Sequence, residues 1–259
     1  MISAINRVRH RESGEFAWAT LSADGRPEAI FDDGGLERWA RGEAPSGGGP
    51  LGDSADWFDH PVLTSGSVFA FAETYYEEGG SRERRSKNPL LFIKPNSSVA
   101  REEAVVPVAE LIDGGAKIWG EGEIGLYLGP SGRPIGLTLV NDVTMEMPGY
   151  EDQDHHLPFL KGQVGFCPCS STLLSLSEWD DHSLVNHHDG ELIRRGRRSD
   201  FIYSVEELWD WLTGGCVPSP GDLILMGAPR RVRPRLYASV GTTFTAVLND
   251  RWRLETVFG

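Results

Sequence analysis

Cysteine is scarce in this chain: Cys167, Cys169 and Cys216 are the only three in 259 residues. Three cannot form the disulfide framework of a small secreted scaffold, so reduced core thiols are expected. A zinc finger is excluded as well. Cys167-Pro168-Cys169 has a single intervening residue and no second pair, although His155-His156 and His187-His188 offer imidazoles. Long apolar runs are also missing. No segment approaches the ~20 residues that span a bilayer, and the opening MISAINRVRHRESGEF lacks the ~7–15-residue apolar stretch of a secretory signal. Positive charge is in deficit, with 25 Lys+Arg against 38 Asp+Glu and a net charge of −13, which opposes phosphate backbones and anionic lipid surfaces. No internal repeat is visible. A cytoplasmic protein with no nucleic-acid or membrane partner is expected, on a chain long enough to bury a large core.

Two β-like apolar runs in FAWATLSADGRPEAIF flank Asp24-Gly25, a hairpin turn signal. The stretch Gly42–Asp56, rich in Gly, Pro and Ser and without periodicity, reads as a linker or exposed loop. The expected organisation is a small N-terminal β-containing module with linker over residues 1–60 and a larger domain over 61–259. Short β-like runs follow at Val68–Phe71, Leu90–Lys94, Lys117–Trp119, Glu123–Leu128, Ile135–Val140, Thr172–Leu176, Leu192–Arg195, Leu223–Met226 and Thr243–Leu248. One helix is well signalled. Ser204 and Glu207 form a capping box, Val205, Leu208, Trp209 and Leu212 share a face, and Gly214-Gly215 ends it. Many strands and few helices predict an α+β class with β predominating.

Within EGEIGLYLGPSGRPIGLTLVND (Glu121–Asp142) three carboxylates border an otherwise apolar sequence. In a strand, residues i and i+2 share a face, ~6.6 Å apart along the backbone, so Glu121 and Glu123 project together past Gly122. A hairpin through Gly129-Pro130-Ser131-Gly132 would return Asp142 to the same end. Three acids at one point repel, and one must take up a proton unless a cation is present. A hard divalent ion such as Mg²⁺ or Mn²⁺ prefers such oxygen ligands. Glu121 and Glu123 on the solvated face of an edge strand would fit the same spacing.

This stretch is part of a longer pattern of five segments. NPLLFIKPNSSV, EGEIGLYLG followed by GLTLVNDVT, LPFLKGQVGFCPCSS and SPGDLILMGAP, in this order, resemble the conserved segments of the fumarylacetoacetate hydrolase superfamily from about Phe69 to Phe258. The resemblance implies that superfamily's mixed β-roll or barrel, a divalent metal, usually Mg²⁺, held by Glu121, Glu123 and Asp142, and Lys161 beside it as a catalytic residue. It also implies a homodimer and a small 2-oxo acid or 1,3-dicarbonyl substrate that reacts through a metal-stabilised enolate.

The chain departs from the pattern in places. The histidine of the family's water-activating His-Glu pair falls on Glu78 in AETYYEEGG, the threonine of its T-G-T-P is Ala228, and the arginine after N-D-V-S is absent. With that pair missing, a lyase (dehydratase or decarboxylase) is expected over a C–C bond hydrolase, and the lysine segment is closer to the 2-keto-3-deoxy-acid dehydratases. A non-catalytic member is the third reading. Glu78 is then the candidate acid/base group. Arg85 in RERRSK can grip a carboxylate bidentately, His155 can contact substrate, and Tyr75 and Lys94 complete the expected substrate contacts.

Overall fold

The computed structural model describes residues 3–22, 26–45, 49–51, 56–63, 66–76, 89–150 and 153–259. Its centre is the hairpin of Gly122–Leu128 and Pro134–Asn141, paired Gly122 to Asn141, Glu123 to Val140 and Leu126 to Leu137. Every residue of the first strand is buried, which explains its nearly continuous apolar sequence, since a strand covered on both faces has no polar side to alternate. The edge-strand reading of Glu121 and Glu123 is therefore corrected: this strand lies between Pro134–Asn141 and Leu223–Leu225, in the interior of the sheet.

A large sheet of mixed pairing grows from this hairpin. It runs in the order Pro27–Phe31, Phe16–Leu21, Ala4–His10, Thr172–Leu174, Pro134–Asn141, Gly122–Leu128, Leu223–Leu225, Val68–Ala72 and Leu90–Lys94. Leu223–Leu225 and Val68–Ala72 pair in parallel, their neighbours on this path antiparallel. A second sheet, ordered Glu191–Arg197, Ser183–His188, Thr243–Leu248, Trp252–Phe258 and Val105–Val106, packs against the hairpin. The path of each sheet is open, and no barrel closes among the described residues. The class is α+β, with mixed sheets in a roll-like arrangement.

Alternation assigns the faces. Ile124, Leu126 and Leu128 join a core with Leu137, Leu139, Phe244 and Ala246, while Tyr127 joins another with Trp18, Val140 and Ile135. Gly122 belongs to the first face, where a Cβ would lie 2.5 Å from both Ala246 Cβ and Asn186 Oδ1. The close approach of the second sheet thus demands glycine between the two glutamates. Glu121 and Glu123 fall on the opposite face, which Asp142, two residues beyond Val140, shares.

The helix Val205–Gly215 forms as its signals predict. Ser204 Oγ accepts from the Glu207 amide at 3.0 Å, Glu207 Oε2 accepts from the Ser204 amide at 2.8 Å, and Leu208 and Leu212 are buried. Other expectations change. The hairpin strands Phe16–Leu21 and Pro27–Phe31 pair, but the Asp24-Gly25 turn lies outside the described residues. The described part of the Gly42–Asp56 loop is no free linker: Gly49 O accepts from the Ile30 amide at 3.1 Å, and Leu51 is buried. The strand expected to reach Leu176 stops at Leu174, because Ser175 caps a 3-10 turn over Leu176–Trp179. Ala4–His10 pairs with both Thr172–Leu174 and Trp57–Asp59, so the N-terminal strands continue the large sheet.

Candidate active site

The central hairpin brings one carboxylate oxygen from each of Glu121, Glu123 and Asp142 within 4.8 Å of the others. Glu123 and Asp142 are 2 % and 1 % exposed, so their charges need partners. The chain supplies three cations of its own. Lys161 Nζ donates to Glu121 Oε2 at 2.8 Å, to Asp142 Oδ2 at 2.6 Å and to Thr144 Oγ1 at 2.7 Å. Lys94 Nζ donates to Asp142 Oδ1, and Arg194 Nη2 to Glu121 Oε1. Glu123 has no such partner among the described residues and accepts from the Gly227 amide at 2.9 Å.

The protonation balance follows this arrangement. Burial would raise the Glu121 pKa, but Lys161 and Arg194 outweigh it and hold the carboxyl well below its ordinary range. Burial, with Asp142 beside it, raises Glu123 well above the usual carboxylate value. Burial opposes the charge on Lys161, yet Asp142, Glu121 and Glu123 keep its pKa above that of a free lysine. Lys161 is therefore a fixed cation and hydrogen-bond donor here, not a ready base.

Secondary structure places these groups. Lys161 ends the helix Gln153–Lys161, where a cation meets the negative end of the helix dipole. Leu157 and Leu160 anchor that helix in the core, and the ammonium lies 5.2 Å from the Phe92 ring. Gly227, with φ of 90° and room for no Cβ beside Thr74 Oγ1 at 2.1 Å, lets its amide reach Glu123.

Glu121, Glu123 and Lys161 line a cavity of about 210 Å³ with Tyr75, Arg194 and Arg230 among its other walls. That is below the ~300–1,000 Å³ typical of drug-sized ligands, and suits a small metabolite. Tyr75 stands at this cavity, but its hydroxyl is 2.9 Å from His182 Nε2. His182 Nδ1 lies 3.0 Å from the Trp179 carbonyl, which can only accept, so Nδ1 carries the proton and Nε2 accepts from Tyr75. Burial pushes His182 down to about 4, which keeps the acceptor neutral. Lys94 is fully buried behind Asp142 and does not line the cavity, which differs from a substrate contact. His155 is exposed on its helix and is not part of the cavity wall. Glu78 and Arg85 lie outside the described residues.

Arg194 and Thr144 are the site residues that sequence reasoning missed. Arg194 reaches Glu121 across 73 positions, a pairing that no local spacing encodes. Thr144 stands two residues after Asp142 and its hydroxyl donates to Glu121 Oε2 at 3.2 Å, so the i, i+2 rule that grouped the glutamates would have found it.

Residues 67–255 match the fumarylacetoacetate (FAA) hydrolase C-terminal family model, and the chain belongs to that family. An uncharacterized protein of Staphylococcus epidermidis is 26 % identical over 190 residues, which cover 66 % of this chain and 60 % of the relative. A Staphylococcus aureus protein matches with the same identity and coverage, so the match spans less than two thirds of the relatives' length. Among solved structures, 5-carboxymethyl-2-hydroxymuconate delta-isomerase from Mycobacterium smegmatis superposes with a TM-score of 0.72 at 20 % identity, covering 98 % of both chains. A 2-keto-3-deoxyarabinonate dehydratase gives 0.73 at 15 % identity, covering 99 % of this chain and 98 % of its own. Fumarylacetoacetate hydrolase from Exiguobacterium antarcticum gives 0.70 at 19 %, covering 98 % of this chain and 99 % of its own. At these identities the likeness is one of fold.

Proposed function

We propose that this protein is a divalent-metal-dependent enzyme acting on a 2-oxo acid or 1,3-dicarbonyl compound, with a lyase reaction, dehydration or decarboxylation, favoured over C–C bond hydrolysis. The observation that carries this reading is the oxygen-only cluster of Glu121, Glu123 and Asp142, of which Glu121 and Glu123 line a small cavity.

The donor set fits a hard ion. Oxygens on opposite sides of an octahedral Mg²⁺ at ~2.1 Å are ~4.2 Å apart, and the three carboxylates converge within 4.8 Å. Glu121, Glu123 and Asp142 would hold Mg²⁺ or Mn²⁺, sharing Glu121 and Asp142 with Lys161. When bound, the ion supplies Lewis-acid stabilisation to an enolate. With the acids ionised, their three charges are already met by Lys161, Lys94 and Arg194. A divalent ion then leaves the site positive, which favours an anionic substrate.

Lys161 is the residue we assign to the substrate carboxylate or enolate oxygen, as a donor whose charge does not vary near neutrality. Lys94 we assign to holding Asp142 in place, not to substrate. In a dehydration, a base takes the proton next to the carbonyl while the bond to a hydroxyl breaks, and the hydroxyl leaves with a proton as water. Glu78, where the family's water-activating histidine is replaced, is the proposed base. Tyr75, Arg85 and His155 are kept as proposed substrate contacts. Residues 1–60 are proposed as an N-terminal module on the catalytic portion 61–259, and a homodimer as the assembly.

A panel of 2-oxo acids and acylpyruvates incubated with Mg²⁺, with products followed by NMR, tests the reaction. Turnover of a hydroxylated or carboxylated 2-oxo acid at least about 10-fold above acylpyruvate cleavage is expected, a difference of ~1.4 kcal/mol in barrier. Cleavage of acylpyruvates with no turnover of the other compounds would establish the hydrolase instead.

A further inference from the structure

The three cations that meet the acid cluster are not equivalent. Lys94 is fully buried and pairs with Asp142, and Lys161 bridges Asp142 and Glu121. Arg194 comes from the second sheet, on the strand Glu191–Arg197, and its Nη2 donates to Glu121 Oε1. Glu121 does not need it for a partner. Its other oxygen, Oε2, already accepts from Lys161 at 2.8 Å and from the Thr144 hydroxyl at 3.2 Å. A guanidinium that is 9 % exposed is costly to place, so a surplus one at this carboxylate calls for a reason.

Its mounting is independent of Glu121. Arg194 Nη1 donates to Pro229 O at 2.8 Å, and the segment that follows is fixed to the strand of Arg194 itself. Arg195 N donates to Arg230 O at 3.0 Å and Val232 N to Ile193 O at 3.0 Å, so Arg230–Val232 lies along Glu191–Arg197 like an added strand. Two residues before Pro229, the Gly227 amide grips Glu123 Oε2 at 2.9 Å. One fork of the guanidinium is thus anchored, and the other reaches Glu121 from the cavity.

Position decides the consequence. Arg194 lines the cavity with Glu121 and Glu123, whereas Lys94 lies behind Asp142 and does not. A divalent ion that takes Glu121 from the cavity meets a positive charge already bonded to the same carboxylate. The repulsion between them scales with the product of the charges, so it is twice that felt by a monovalent ion, and salt screens it little at a site this buried.

We infer that Arg194 is an internal competitor of the divalent ion, a cation held on Glu121 in the metal-free protein that weakens metal binding and keeps the ion exchangeable. This rests on the metal reading above. Removing the charge has one opposing effect, the loss of the bond to Pro229, which has a neutral acceptor and touches no acid; the repulsion outweighs it, because it acts on the ion directly.

The test is a calorimetric Mn²⁺ titration of chelator-treated protein. Arg194→Gln keeps an amide donor and loses the charge, and it is expected to bind Mn²⁺ at least about 10-fold more tightly than the unaltered chain, ~1.4 kcal/mol. Arg231→Gln removes an exposed cation of the same cavity wall that pairs with none of the three acids among the described residues, and its affinity is expected to stay within about 3-fold. A second measurement needs no folded variant. In the unaltered protein, saturation with Mg²⁺ is expected to shift the guanidinium ¹⁵N signals of Arg194, while those of Arg233, off the cavity, stay in place. Equal or weaker binding by Arg194→Gln, an equal gain in Arg231→Gln, or unmoved Arg194 signals with the ion bound would overturn the inference and leave the metal reading standing. Binding by Arg194→Gln alone would support both, and no binding by either protein would remove both.

Discussion

Glu123→Gln is expected to abolish turnover, by about 10³-fold or more, while leaving the metal-free protein as stable as before or more so. The two halves of this prediction come from one geometry. Glu123 is buried, within 4.8 Å of two other carboxylates, and has no lysine or arginine pairing with it among the described residues. A glutamine keeps the shape and the carbonyl oxygen that accepts from Gly227, and removes a like-charge repulsion. It also removes one of three anionic oxygen ligands, and misplacing or losing such electrostatic groups costs ~10²–10³ in rate each. Activity assays with Mg²⁺ and a thermal melt without it check both halves. A variant that loses stability and keeps activity would show that the acid is structural. Glu121→Ala should abolish turnover too, but it strands Arg194 and takes one of the two carboxylates from Lys161, so its melt is expected to fall.

Lys94→Met should produce the largest loss of stability of any single change at the site. Lys94 and Asp142 are 0 % and 1 % exposed, and removing one partner of a buried pair leaves a charge with neither water nor counter-ion. Such losses run ~3–5 kcal/mol, and the lower end applies because Lys161 still holds Asp142 Oδ2. For a domain of this size about 3 kcal/mol corresponds to a fall of ~6–12 °C in Tm. Mg²⁺ should recover more stability in this variant than in the unaltered protein, since a cation near Asp142 replaces the missing ammonium and binding to the folded state alone stabilises it. Melts of both proteins with and without Mg²⁺ measure this. A shift under 2 °C, taken as ~1 kcal/mol or less, would contradict the pairing.

What the sequence revealed of this site was its local part. Glu121, Glu123 and Asp142 were legible because strand alternation and one hairpin put them together within 22 residues. Gly122 signalled the same thing from the other side, its missing side chain making room for Ala246. Lys161 was legible only through resemblance, since a helix holding Pro158 and two histidines carries a weak periodic signal. Lys94 was placed in the right strand, but its pairing with Asp142 was not foreseen. Its strand was clear from Leu90–Ile93, but nothing in a single strand says which end of it turns toward a distant aspartate.

The remote half was hidden for a different reason. Ser183–His188 alternates buried and half-buried residues, yet Asn186 and His188 are polar at its inward positions, so a hydrophobic pattern did not register. Asn186 is inside because its amide donates to Gly122 O at 3.1 Å, a partner that only the assembled sheets provide. Arg194 and the Arg230–Val232 segment depend on the same second sheet. Cations that meet acids across sheets follow topology, and topology is where short-range pattern loses its hold.

The account stands on the claim that Glu121, Glu123 and Asp142 are a cation site. Its most direct measurement is a Mn²⁺ titration of chelator-treated protein, read by calorimetry and by the electron paramagnetic resonance of free Mn²⁺, on the unaltered chain and on Glu123→Gln. One saturable ion per chain, displaced by Mg²⁺ and lost in the variant, is the result predicted. No saturable binding to the unaltered chain, or equal binding to both proteins, would show that Lys161, Lys94 and Arg194 are all the positive charge these acids meet.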